Sequence, residues 1–117
     1  MKEITIWHNP RCSKSREAMK ILEESGVSNE VVKYLETSPS RQEITTLLKK
    51  LNLSARELMR TKEDIYKELN LKDEPSEEAL IEAMAQNPKL IERPVLIKGD
   101  KAIIGRPTSI IAEFINF

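Results

Sequence analysis

Cys12 is the only cysteine in the chain, and its neighbours are not those of a packing residue. It follows His8-Asn9-Pro10-Arg11 and precedes Ser13-Lys14-Ser15-Arg16, which surrounds the thiol with cations and hydroxyls. A lone intracellular cysteine is commonly a small buried hydrophobe. At the start of a helix the physics differs, because unpaired N–H groups and the positive end of the helix dipole favour an anion. A free thiol of pKa about 8.5 is only about 3% ionised at pH 7, and a fall of about 2 units makes thiolate the major species. That shift is worth roughly 2.7 kcal/mol, within reach of a helix end and close cations. The residue types therefore point to a nucleophilic thiolate.

Spacing limits what this thiolate does. Cys12-Ser13-Lys14-Ser15 is not C-x-x-C, so internal dithiol exchange is excluded and no intramolecular disulfide can form. It fits the monothiol C-x-x-S spacing. The C-x5-R phosphatase loop is absent, since Ala18 stands six residues after Cys12. An outside thiol must then resolve whatever forms on Cys12. His8 can hydrogen-bond the thiolate or orient the loop, Ser15 and Arg16 can stabilise the loop, and Arg11 and Lys14 tune the local field. His8 and Cys12 are too few ligands for a closed zinc site, so no metal is expected.

The elements that must position these residues are legible in the pattern. Ile4 and Ile6 alternate with Thr5 and Trp7 as a first strand, which Asn9-Pro10 breaks. A helix runs from about Cys12 through Ala18, Met19, Ile21 and Leu22 to Gly26, a left-handed cap. Val31–Leu35 reads as a second strand, parallel to the first because a helix separates them. Ser40-Arg41-Gln42-Glu43 is a capping box for a helix carrying Ile44, Leu47, Leu48 and Leu51. Ser54-Ala55-Arg56-Glu57 repeats that signature for a shorter helix around Leu58 and Met59. Another short helix is expected over Glu63–Leu69. Pro75-Ser76-Glu77-Glu78 opens one with Leu80, Ile81 and Met84 on one face, ended by Asn87-Pro88.

Val95–Ile104 places Gly99-Asp100 between two apolar runs, as in a tight hairpin. Pro107 suits the first position of a last helix with Ile110, Ile111 and Phe114 buried. This order is that of an α/β, thioredoxin-like fold. A helical insertion, about residues 40–87, separates the N-terminal strand-helix-strand unit from the C-terminal hairpin-helix unit. One domain over 1–117 is expected.

Composition removes several functions. The 117 residues are 39% hydrophobic and 32% charged, with 19 basic against 19 acidic side chains, so bulk charge recruits neither nucleic acid nor an anionic membrane. No apolar run approaches the roughly 20 residues of a membrane helix. The N-terminal stretch lacks the apolar core of a signal peptide, which makes the cytoplasm the expected location.

His8-Asn9-Pro10-Arg11-Cys12-Ser13-Lys14-Ser15-Arg16 resembles the catalytic loop of the glutaredoxin-dependent arsenate reductase (ArsC) family. Tyr34-Leu35-Glu36, Glu57-Leu58-Met59-Arg60, Asn87 through Pro94 and Ile104-Gly105-Arg106-Pro107 resemble its other signatures in the same order. The likeness is nearest to the short arsenate reductase-like members. It implies a catalytic Cys12 and three substrate-binding arginines, Arg60, Arg93 and Arg106, with His8 and Ser15 in support and Arg93-Pro94 as a cis bond. It also implies arsenate as substrate, glutathione as co-substrate, glutaredoxin as protein partner, and no bound cofactor. Arginine's planar fork suits a tetrahedral oxyanion.

Two other readings stay open at this point. One is a regulator resembling the Spx proteins, which share the fold and bind RNA polymerase; Ser15 stands where its redox-switch form has a second cysteine. The other is a monothiol oxidoreductase acting on glutathione mixed disulfides, which the three arginines disfavour.

Overall fold

A computed structural model describes residues 4–106 and 108–115. Along the chain the elements are β1 (Ile4–Trp7), α1 (Ser13–Ser25), β2 (Asn29–Val32), α2 (Arg41–Leu51), α3 (Ala55–Leu58), α4 (Asp64–Glu68) and α5 (Glu77–Gln86). β3 (Val95–Lys98), β4 (Lys101–Ile104) and α6 (Ser109–Ile115) follow. They fall into two compact units, one formed by Met1–Tyr34 with Arg93–Phe117 and the other by Leu35–Glu92. The expected insertion of about 40–87 lies inside the second.

The first unit is a four-stranded sheet in the order β2-β1-β3-β4, with β1 parallel to β2 and the other pairs antiparallel. Ile4 and Ile6 of β1 pack with Leu22 of α1, Leu96 of β3, and Ile111 and Phe114 of α6. Each such buried side chain contributes about 1.5–3 kcal/mol. Gly26 ends α1 in the left-handed conformation, φ 75°. Gly99 turns the β3–β4 hairpin at φ 59°, a conformation that costs glycine nothing. This is the thioredoxin-like α/β arrangement. The proposed place of Pro107 at the head of the last helix lies outside the described residues.

β2 departs from its expected range, Val31–Leu35. Its pairing runs from Ile4↔Asn29 to Trp7↔Val32, so it stops where β1 stops, at the Asn9-Pro10 break. Tyr34 is fully buried, but its ring stacks on Trp7 at 6.2 Å instead of extending the strand. Apolar character here marked a stacking partner, not a strand residue.

In the second unit both capping boxes form, Ser40 with Glu43 and Ser54 with Glu57. α2 and α3 each pack against α5, through fully or largely buried Ile44, Leu47, Leu58 and Met84. Asn52 ends α2 at φ 59°, a role its short polar side chain tolerates. Met59, expected in a helix, is extended and pairs with Ile91 in an antiparallel bridge. α4 covers Asp64–Glu68, with Glu63 and Leu69 as its flanking caps. Arg56 donates to Tyr66 Oη (2.6 Å), Leu71 O (3.0 Å) and Glu74 O (2.7 Å), tying α3 to the chain that follows α4. No helix among the described residues is long and apolar enough to cross a membrane.

Candidate active site

The turn between β1 and α1 is built by Asn9. Its carbonyl accepts from Cys12 N (3.0 Å) and its side-chain Oδ1 from Arg11 N (3.0 Å). Pro10 fits the second position of such a turn, where its fixed φ is already correct. Cys12 is thereby delivered as the N-cap of α1 in an extended conformation, φ −94° and ψ 124°. It is 8% exposed. Its side chain makes no regular capping bond.

Burial alone would push the Cys12 thiol up. The Ser15 N–H, the Arg93 guanidinium and the Lys14 N–H outweigh it, and the thiol is held below its ordinary value. These are the donors of a helix start plus a cation, the arrangement that stabilises thiolates. Arg106 adds a further donor, with Nη2 3.5 Å from Cys12 Sγ. Its Nε donates to Arg93 O at 2.6 Å. One arginine thus spans the sulfur and the backbone beside the second arginine. The Arg93-Pro94 bond is cis, and Pro94 O accepts from Gly105 N at 2.8 Å, which registers the Arg93 and Arg106 segments.

His8 bonds Ser15: Nδ1 and Ser15 Oγ are 2.6 Å apart. Ser15 is fully buried and its hydroxyl also accepts from Asn9 N at 3.0 Å. Burial, reinforced by the Lys33 charge, lowers the His8 pKa. The imidazole is therefore neutral over more of the pH range, as suits a loop-orienting group. Arg16 bonds Pro10 O at 3.2 Å, and Lys14 pairs with Glu17 at 3.8 Å on the surface.

Cys12, His8, Ser15, Arg93 and Arg106 belong to one unit and form this constellation. Arg60 belongs to the other unit, where Nη1 meets Glu92 Oε1 at 3.2 Å and Nε lies 4.0 Å from Glu63 Oε2. Asn9 and Gly105 are positioning residues that the motif reading passed over. A Cβ on Gly105 would lie 3.0 Å from Leu96 Cδ1 and Pro94 Cγ. The Asn-Pro dipeptide was a usable signal for the first; nothing local marked the second. Among the described residues no group of three or more His, Cys, Asp or Glu is placed to hold a metal ion.

This arrangement presents a thiol of lowered pKa beside two guanidinium groups, and comparison with known proteins gives it a lineage. An uncharacterized protein of Escherichia coli (strain K12), YfgD, is 57% identical over 117 residues, covering 98% of each chain. An arsenate reductase of Neisseria meningitidis is 53% identical over 110 residues, covering 92% of this chain and 93% of its own. The solved structure of an arsenate reductase from Vibrio cholerae superposes with a TM-score of 0.92 at 49% identity, over 96% of this chain and 97% of that one. The ArsC family profile matches residues 7–114, a span that holds the cysteine turn and all three arginines. A chain that shares sequence and fold with these proteins over nearly its whole length, and matches the family profile over residues 7–114, belongs to the ArsC family.

Proposed function

We propose that this protein is an arsenate reductase in which the Cys12 thiolate attacks arsenic and displaces an oxygen as water, giving a thiol-bound arsenate adduct. The observation that carries the reading is the pairing of a lowered Cys12 thiol with Arg106 at 3.5 Å and the Arg93 guanidinium. Two anions must meet in this reaction, and guanidinium groups beside the sulfur offset their repulsion while binding the oxygens bidentately. The resemblance gives Arg60 the same duty. Reduction of As(V) to As(III) takes two electrons, supplied as two thiols become one disulfide. A chain with one cysteine cannot provide them and regenerate itself, so thiols from outside are needed; the family resemblance implies that these are glutathione and glutaredoxin. A working free thiol also requires a reducing compartment, which is the cytoplasm.

The test is arsenite formation from arsenate with glutathione and glutaredoxin. Wild type should turn over and Cys12→Ser should be inactive while folded. Absence of Cys12-dependent arsenite would overturn the reading. Turnover with glutathione mixed disulfides alone would replace it with the monothiol oxidoreductase.

A further inference from the structure

The segment carrying Arg106 is fastened on two sides. Beside β3, Gly105 N donates to Pro94 O at 2.8 Å and Arg106 Nε to Arg93 O at 2.6 Å. Beside α1, Thr108 Oγ1 donates to Glu17 Oε2 at 3.2 Å, a bond between residues 91 apart. α1 carries both Cys12, as its N-cap, and Glu17, in its second turn. Arg106–Cys12 and Thr108–Glu17 are thus two rungs between the same two stretches of chain. α1 and α6 also pack against each other, with Ala18, Leu22 and Ile111 in one core. The Glu17 oxygen that accepts from Thr108 lies 3.8 Å from Lys14 Nζ, which draws the carboxylate toward the Cys12 end of the helix.

We propose that Glu17 is a positioning residue that fixes Arg106 against the Cys12 sulfur by holding Thr108; its bearing on the oxyanion rests on the reading above. The Arg106–Cys12 contact is long, 3.5 Å, and Arg106 is exposed, so water competes for its guanidinium. A long side chain free to turn in solvent loses rotamer entropy whenever it meets the sulfur. Tying the chain, two residues on, to the helix that bears the sulfur meets part of that cost in advance. A carboxylate accepts a hydroxyl hydrogen bond more strongly than a neutral oxygen does, which suits Glu17 to the task. The latch opposes the bare Glu17 charge: an anion close to Cys12 disfavours the thiolate, and a fixed Arg106 favours it. Thr108 is the cleaner probe, because replacing its hydroxyl by a methyl leaves every charge in place.

The experiment follows alkylation of Cys12 by iodoacetamide across pH, alongside KM and kcat for arsenite formation from arsenate. Thr108→Val should slow alkylation about threefold on the acid side of its inflection, the size of one partly exposed hydrogen bond. Thr108→Ser, which keeps the hydroxyl, should restore the wild-type rate. In an Arg106→Gln or a Glu17→Ala background, Thr108→Val should have no further effect. KM for arsenate should rise by the same factor in Thr108→Val, with kcat changed less. An unchanged alkylation rate in Thr108→Val, a failure of Thr108→Ser to restore it, or an effect that persists without Arg106 or without Glu17 overturns the inference. Alkylation needs no turnover, so a wild type that makes no arsenite defeats only the proposed activity, and the alkylation rates still decide the latch. Thermal unfolding of each variant completes the test: lost stability with an unmoved inflection gives Glu17 and Thr108 a purely structural part and overturns the inference too.

Discussion

At Cys12 opposing forces act on one sulfur. Burial favours the neutral thiol, and helix-start N–H groups with Arg93 favour the thiolate strongly enough to win. The alkylation rate of Cys12 should therefore rise with pH at an inflection below that of an ordinary thiol. Arg93→Gln should move the inflection upward, and an unmoved inflection would assign the shift to the helix start alone. Because the folded pKa is the lower one, ionisation of Cys12 stabilises the fold fully above the unfolded thiol's pKa. That stabilisation is lost as pH falls through the folded value. Ser15 is a separate case. Ser15→Ala leaves the buried Asn9 N–H without its acceptor and His8 without its partner. A loss of about 1–3 kcal/mol is expected in urea unfolding. The cysteine with the lowered pKa and the hydroxyl that braces its turn were legible in sequence because both lie within one turn of helix. Arg106 was reached only through family likeness, since it meets the sulfur from 94 residues away.

Elements register the site through close approach. Gly105 joins β4 to the Arg106 segment, and a Cβ there would press on Leu96, Pro94 and, at 3.1 Å, Ile111 Cδ1. Gly105→Ala should cost about 1–3 kcal/mol as an overpacked core. It should also weaken the Arg106–Cys12 contact, which a raised alkylation inflection would reveal. Element identity was readable wherever a local device set it: capping boxes at Ser40 and Ser54, the Gly26 cap, and the Gly99 turn. Boundaries were missed where a distant partner decided. β2 ended with its neighbour β1, and Met59 left the helix to pair with Ile91.

For the whole molecule, chain order matters more than any single contact. The sheet unit is assembled from two stretches separated by residues 35–92, and its β1–β3 pairing closes across that gap. An unstructured loop of such length costs about 4 kcal/mol to close, and a folded one costs less. Arg56→Ala removes three hydrogen bonds inside the 35–92 unit. It should nevertheless shift the urea transition of Trp7, which is the only tryptophan and lies in the sheet unit. An unshifted Trp7 transition would show that the two units unfold independently.

The solitary cysteine carries a liability along with its reactivity. A thiolate is the form that peroxide oxidises, and the first product, a sulfenic acid, is rescued by condensing with another thiol. Cys12 has no second cysteine in the chain to meet. Rescue then depends on encounter with a thiol from outside, and each delay exposes the sulfur to the sulfinic stage, from which few proteins return. The same solute thiols that would complete a catalytic cycle thus also serve as the molecule's antioxidant protection.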